Sequence, residues 1–147
     1  MAKPRVGFLW NPAGPEVLAE LGSLVDFVEV VPDRLWYDFG AQERPRFFRG
    51  HGIGLSLPSA MPLDEAVLAE VVAASEALGF EAFSEHCSLF LVPGASVPHA
   101  QAGLGLPVVH DEETLGIVAA KILRLQEALG IPIAMENGTI FTAMPEP

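Results

Sequence analysis

The chain has 147 residues, enough for one domain with a buried core, and half of them are hydrophobic; disordered and fibrous classes are excluded. Its 19 acidic residues against 8 basic ones give a formal charge of −11. Such a field repels phosphate backbones, so no nucleic-acid partner is expected. It suits cations, although acidic residues that only keep a surface soluble explain it equally well.

No apolar run approaches the ~20 residues needed to cross a bilayer, and no membrane partner is expected. Residues 1–5 run straight into a strand-like segment and leave no room for a signal peptide. A single cysteine, Cys87, allows no internal disulfide and fits a reducing compartment. The expected location is the cytoplasm.

In chain order, residues 5–10 are an apolar run closed by the turn residues Asn11, Pro12 and Gly14, a strand followed by a turn. Pro15 then opens a helix carrying Val17, Leu18 and Leu21. Residues 27–31 read as the next strand, stopped by Pro32. Residues 34–48 are the least legible, a short helix or loop. Residues 52–57 again read as a strand. From Pro62 the pattern turns helical: Val67, Leu68, Val71, Val72 and Leu78 form the apolar stripe, Glu65, Glu70 and Glu76 face elsewhere, and Gly79 stops the helix.

Residues 80–84 read as a strand leading to Glu85, His86 and Cys87. A Gly/Pro-rich loop over 92–107 is longer than most βα connections, which is where functional loops tend to lie. The clearest helix runs over 111–129. Asp111 is its N-cap, Glu112 and Glu113 complement the helix dipole, and Leu115, Val118, Ala119, Ile122, Leu125 and Leu129 form a buried stripe. Gly130 and Pro132 end it, and residues 131–135 make a last strand running into Glu136 and Asn137. Alternating strands and helices with largely apolar strands predict an α/β fold with a parallel sheet, either open and doubly wound or part of a (β/α) barrel.

The candidate chemistry lies at strand ends. His51 is placed at the start of one strand segment, while Glu85 with His86 and Glu136 with Asn137 close two others. Side chains at the carboxyl ends of parallel strands converge on the site in both architectures. Imidazole nitrogen and carboxylate oxygen together suit iron, zinc or manganese. A lone histidine beside a strand is more often a hydrogen-bonded structural residue than a ligand; two histidines and a glutamate at separate strand ends keep both readings open. His99 and His110 read as solvated loop residues. Cys87 reads as a small buried hydrophobe rather than a nucleophile. Trp10, Trp36 and Phe90 read as core or rim aromatics. Glu29, inside an apolar strand, is a site residue or is paired internally. Gly52 and Gly54 lack the third glycine of a dinucleotide fingerprint.

His51-Gly-Ile-Gly-Leu-Ser-Leu57, Pro62-Leu-Asp-Glu65, Ser84-Glu-His86, Leu125-Gln-Glu-Ala-Leu-Gly130 and Met135-Glu-Asn137 follow one another at the order and approximate spacing of one family. Across nearly its whole length the chain resembles the N-terminal half of the family that includes the multinuclear non-haem iron enzyme of methanobactin biosynthesis. That resemblance implies a xylose isomerase-like TIM barrel that binds two or three iron ions. It also implies that, with a partner protein and dioxygen, the family oxidatively modifies cysteine residues of a ribosomally made peptide. It makes His51, His86 and Glu136 metal ligands and Glu85 a catalytic neighbour that orients His86 or shuttles protons. It makes Glu29 and Asn137 residues that support the ligands or touch the substrate.

This chain departs from the family pattern in three places. Residues 30–36 lack the histidine many relatives carry there, and Met61 stands where a capping aspartate is expected before Pro62. Residues 1–147 supply about five strands of a single partial barrel domain, whereas a full barrel takes ~250 residues. The remaining aspartate, histidine and glutamate ligands belong to the other half of the barrel. Exposed strand edges favour association, so a homodimer or a separately encoded second half is expected. The alternative functions are a non-catalytic half-barrel or truncated remnant, and a xylose isomerase-like sugar isomerase on the same barrel.

Overall fold

The computed structural model describes residues 3–32, 48–91 and 101–138. The expectations for residues 34–47, Trp36 and His99 lie outside them. Strands β1 (Gly7–Leu9), β2 (Phe27–Val30), β3 (Phe48–Gly52), β4 (Phe80–Cys87) and β7 (Ile133–Asn137) form one sheet. Every neighbouring pair is parallel, and the spatial order β1-β2-β3-β4-β7 adds each strand beside the one before it. A doubly wound sheet reverses direction at a switch point. This one does not, and the choice left open by spacing falls to the barrel. The five strands are those of about half to two-thirds of a (β/α)8 barrel.

Each helix has a local cause. Pro15 lies in the first turn of α1 (Gly14–Leu21), where its missing N–H costs nothing. The Asp64 side chain accepts from the N–H groups of Ala66 and Val67 and caps α2 (Glu65–Leu78). The capping aspartate is therefore present two residues after Pro62, and Met61 does not stand in its place. Asp111 caps α3 (Glu112–Leu129) through the Thr114 N–H. Gly79 and Gly130 end α2 and α3 at φ 69° and 65°, the left-handed conformation that a Cβ disfavours. No described helix is long and apolar enough to cross a membrane.

The core lies between the sheet and the helices. Val28, Val30, Phe48, Phe80 and Phe83 of the strands meet Leu68, Val71, Ala74 and Leu125 of the helices. Phe80 and Phe83 bury on the same side although three residues apart, because the β3–β4 register slips between Phe48 and Gly50 and an extra residue resets the alternation. Gly50 makes room for them: a Cβ there would lie 2.5 Å from Phe83 and 2.6 Å from Phe80.

Four sequence expectations are corrected. The third strand is Phe48–Gly52 rather than 52–57. Leu55 and Leu57 are fully buried, so the segment alternates like a strand, yet it is an irregular loop with Ser56 at φ 49°. Strands β4 and β7 run on to Cys87 and Asn137, so Glu85, His86 and Glu136 lie inside strands rather than after them. The long loop contains β6 (Gln101–Leu106), paired antiparallel with β5 (Leu89–Leu91). The predicted stripe on α3 is covered unevenly: Leu125 is fully buried and Ile122 and Leu129 pack half-buried against the core, while Leu115 is 62% exposed. The helix lies beside α2 and over β7, the last strand of the sheet, so little of its surface has a neighbour among the described residues.

Candidate metal centre

Side chains alternate across a strand, and the register decides which of them meet. His51 pairs with Ser84, Ser84 with Ala134, and His86 with Glu136, which sets His51, Ser84, His86 and Glu136 on the face turned away from the helices. The corrected strand boundary puts His51 at the carboxyl end of β3, not at its start. His51, His86 and Glu136 thus stand at the same end of three adjacent strands, where parallel α/β sheets gather functional groups.

The His51 and His86 Nε2 atoms are 3.0 Å apart, and Glu136 Oε2 lies 3.9 Å from the first and 4.0 Å from the second. The nearest point equidistant from these three atoms, in their common plane, lies about 2.1 Å from each, within the ~2.0–2.2 Å expected for nitrogen and carboxylate ligands of a divalent metal. Among the described residues, no other group of three His, Cys, Asp or Glu donors comes this close. Two neutral imidazoles and a carboxylate suit iron, zinc or manganese, so the donors fit a metal in both spacing and chemistry.

Burial grades across the cluster. The side chains of His51, His86 and Glu136 are 11%, 26% and 55% exposed. His51 forms the floor, with Nδ1 2.8 Å from Ser84 Oγ. The His86 ring sits edge-on to Phe90, centroids 5.8 Å apart, and Phe90 is itself buried. Phe90 is tied in by its N–H, which donates to Ser56 Oγ at 3.0 Å; the left-handed Ser56 thereby supports the aromatic wall beside His86. Glu136 forms the open side, on a strand that pairs, among the described residues, with β4 alone.

The other candidates fall elsewhere. Glu85 lies between His86 and Ser84 in sequence but on the opposite face of β4, fully buried toward the helices. Gly52 faces it across the register, and a Cβ on Gly52 would fall on the Glu85 carboxylate. Gly52 is thus required by the packing of Glu85 against it. Asn137 follows Glu136, exposed and in register with Cys87. Glu29 is half-buried in β2 beside Leu9 and Arg49, outside the three-donor group. Burial pushes the Cys87 thiol pKa up, which weakens it as a nucleophile. His110 is exposed. Sequence reasoning gave no site role to Ser84 or to Phe90, although Phe90 is buried as expected; the signal for Ser84 was its two-residue spacing from His86, which puts both on one face of a strand.

Fold and site together define a βα-barrel protein with a candidate His/His/Glu metal centre. The chain belongs to the family described as "RiPP precursor modification enzyme MbnB/TglH/ChrH", whose profile matches residues 6–147. It is 32% identical over 148 residues to a UPF0276 protein of Pasteurella multocida, covering 95% of this chain and 46% of that protein. It is 33% identical over 139 residues to a UPF0276 protein of Streptomyces avermitilis, covering 89% and 28%. With a UPF0276 protein of Pseudomonas aeruginosa the identity is 29% over 129 residues, covering 82% and 43%. The chain spans about half the length, or less, of these relatives.

Proposed function

We propose that this chain supplies the His51, His86 and Glu136 ligands of an iron centre that oxidatively modifies cysteine residues of a ribosomally made peptide. One observation carries the reading: three metal-ligating atoms at the carboxyl ends of three adjacent strands share a point at metal-bond distance. Membership of a family described as RiPP precursor modification enzymes supports the substrate class.

Bound iron supplies Lewis acidity and redox chemistry toward dioxygen. The protein's part is positional. His51 and His86 each present Nε2 to the same point. Glu136 adds negative charge there and leaves the outer side open to a peptide thiol. Phe90 packs against the His86 ring and helps hold its orientation. The −11 charge of the chain raises the local concentration of cations. A remainder equivalent to the other half of the longer relatives supplies the further ligands for a second or third ion. It comes from a second copy in a homodimer, from a separately encoded half, or from more of the same protein. A partner protein presents the peptide.

The test is metal content and solution mass of protein purified without chelators, for the parent chain and His86→Ala. Near-stoichiometric iron in the parent, lost in the variant with unchanged circular dichroism, supports the reading. Equal metal content in the two proteins removes His86 from the site and overturns it.

A further inference from the structure

Ser84 hydrogen-bonds a candidate ligand without being a candidate ligand itself. Its Oγ lies 2.8 Å from His51 Nδ1, while the other ring nitrogen, Nε2, is directed at His86 and Glu136. The two residues are register partners on adjacent parallel strands. The serine is therefore held beneath the imidazole by the sheet itself, not by a loop. A neutral imidazole carries one proton, and only its bare nitrogen can ligate a metal. A histidine whose Nδ1–H donates to Ser84 has that bare nitrogen at Nε2. The opposite arrangement, with the serine hydroxyl donating to Nδ1, leaves Nε2 protonated and unable to ligate.

We propose that Ser84 is the positioning residue of the centre, accepting the Nδ1–H hydrogen bond that fixes His51 as the tautomer with Nε2 bare and aimed at the metal point. This rests on the metal reading above and adds an assignment to it. Without metal, the 3.0 Å contact between the two Nε2 atoms then runs from His86 as donor to His51 as acceptor, so His51 is already in its ligating form. His86 is then the ring whose proton would have to move from Nε2 to Nδ1 before its Nε2 could hold the ion. The division matches the burial: His51 is enclosed and preset, and His86 is more open.

The experiment compares the parent chain with Ser84→Ala and with the near-isosteric pair Ser84→Thr and Ser84→Val, which differ by one hydroxyl. Two readouts are taken at one pH. Long-range ¹H–¹⁵N spectra of the metal-free protein report the His51 tautomer, and cobalt(II) titration followed by its optical bands reports affinity. Loss of an orienting partner typically weakens metal binding 10–100-fold. The expected result is that fall for Ser84→Ala and Ser84→Val, with a mixed His51 tautomer in both and restoration of both readouts in Ser84→Thr. Unchanged affinity and tautomer in the hydroxyl-free variants overturn the proposal, as does a parent protein whose His51 carries its proton on Nε2. A parent that binds no cobalt overturns the metal reading itself, while the tautomer spectra still decide the assignment of Ser84. Should Ser84→Ala not fold, the Thr/Val pair carries the comparison.

Discussion

Gly52 and Glu85 face each other across β3 and β4 so closely that the glycine's missing side chain is the space the carboxylate occupies. Phe83 closes the same space, 2.7 Å from where a Cβ would be, and both Phe83 and Glu85 are fully buried. Neither neighbour can withdraw into solvent. Gly52→Ala is therefore expected to destabilise the fold by about 1–3 kcal/mol, the usual range for an overpacked core. Urea denaturation reads this as a lower midpoint at constant slope. An unchanged midpoint would show that the strands part without cost and that Gly52 is dispensable.

Glu136 makes the opposite case. Its side chain is 55% exposed, so Glu136→Gln should leave the unfolding free energy within ~0.5 kcal/mol of the parent. Metal affinity should fall all the same, because the amide brings no charge to the three-donor point. A variant that binds metal like the parent would take the carboxylate out of the ligand set.

Helix α3 offers a paired test of packing. Leu125 is fully buried and Leu115 is 62% exposed. Truncation of Leu125 to alanine should cost about 2–5 kcal/mol, whereas Leu115→Ala should stay within ~0.5 kcal/mol. Comparable losses at both positions would mean that the whole stripe is covered in solution, and measurement across a range of protein concentrations would then reveal association.

The cap of α2 rests on one side chain. Asp64 accepts from two backbone N–H groups, at 2.9 and 3.2 Å, and Asp64→Ala is expected to cost about 1 kcal/mol. Asp64→Asn keeps an acceptor and should retain most of that stability. Equal losses in the two variants would assign the effect to something other than capping.

At Asp111 the hydrogen bond from Thr114 holds the carboxyl pKa below its ordinary value. Because the folded pKa is the lower one, the cap's contribution is fully present above the unfolded value of ~3.9. It is lost as pH falls through the folded value. Asp111→Asn, which caps without titrating, should flatten that part of the acid limb of a thermal-stability profile. Superimposable profiles for parent and variant would show that this carboxylate adds nothing to the acid sensitivity.

The α/β class, the alternation of strands and helices along the main sheet and the three ligand candidates were legible in the chain, because each rests on local signals: apolar periodicity, glycine stops, and His or Glu beside an apolar run; the β5–β6 pair was not. What failed to read did so for tertiary reasons. Leu55 and Leu57 alternate like strand residues because a loop buries them, and only pairing with β2 and β4 shows that the strand ends at Gly52. The reversed placement of His51 followed from that error. Glu85 could not be separated from His86 by sequence proximity; alternation across β4 sends one to the core and the other to the site. The stripe on α3 has the period of a buried face, but periodicity records which side can be covered, not what covers it. Ser84 gave no chemical signal of its own, since its role exists only across the register with His51.

Two of the three donors ride on interior strands of the sheet and the third on its last strand. Among the described residues one flank of β7 has no ladder, and a strand paired on one side opens more readily than one paired on both. An ion shared by all three donors would act as a clasp from Glu136 to the middle of the sheet. Occupancy is then linked to the opening equilibrium of β7: whatever binds only the closed form slows the exchange of that strand's amides in proportion to its concentration over its dissociation constant. The strand that contributes the most exposed ligand thus becomes the part of the fold whose motion reports on loading, and the sheet margin becomes a gauge of the site.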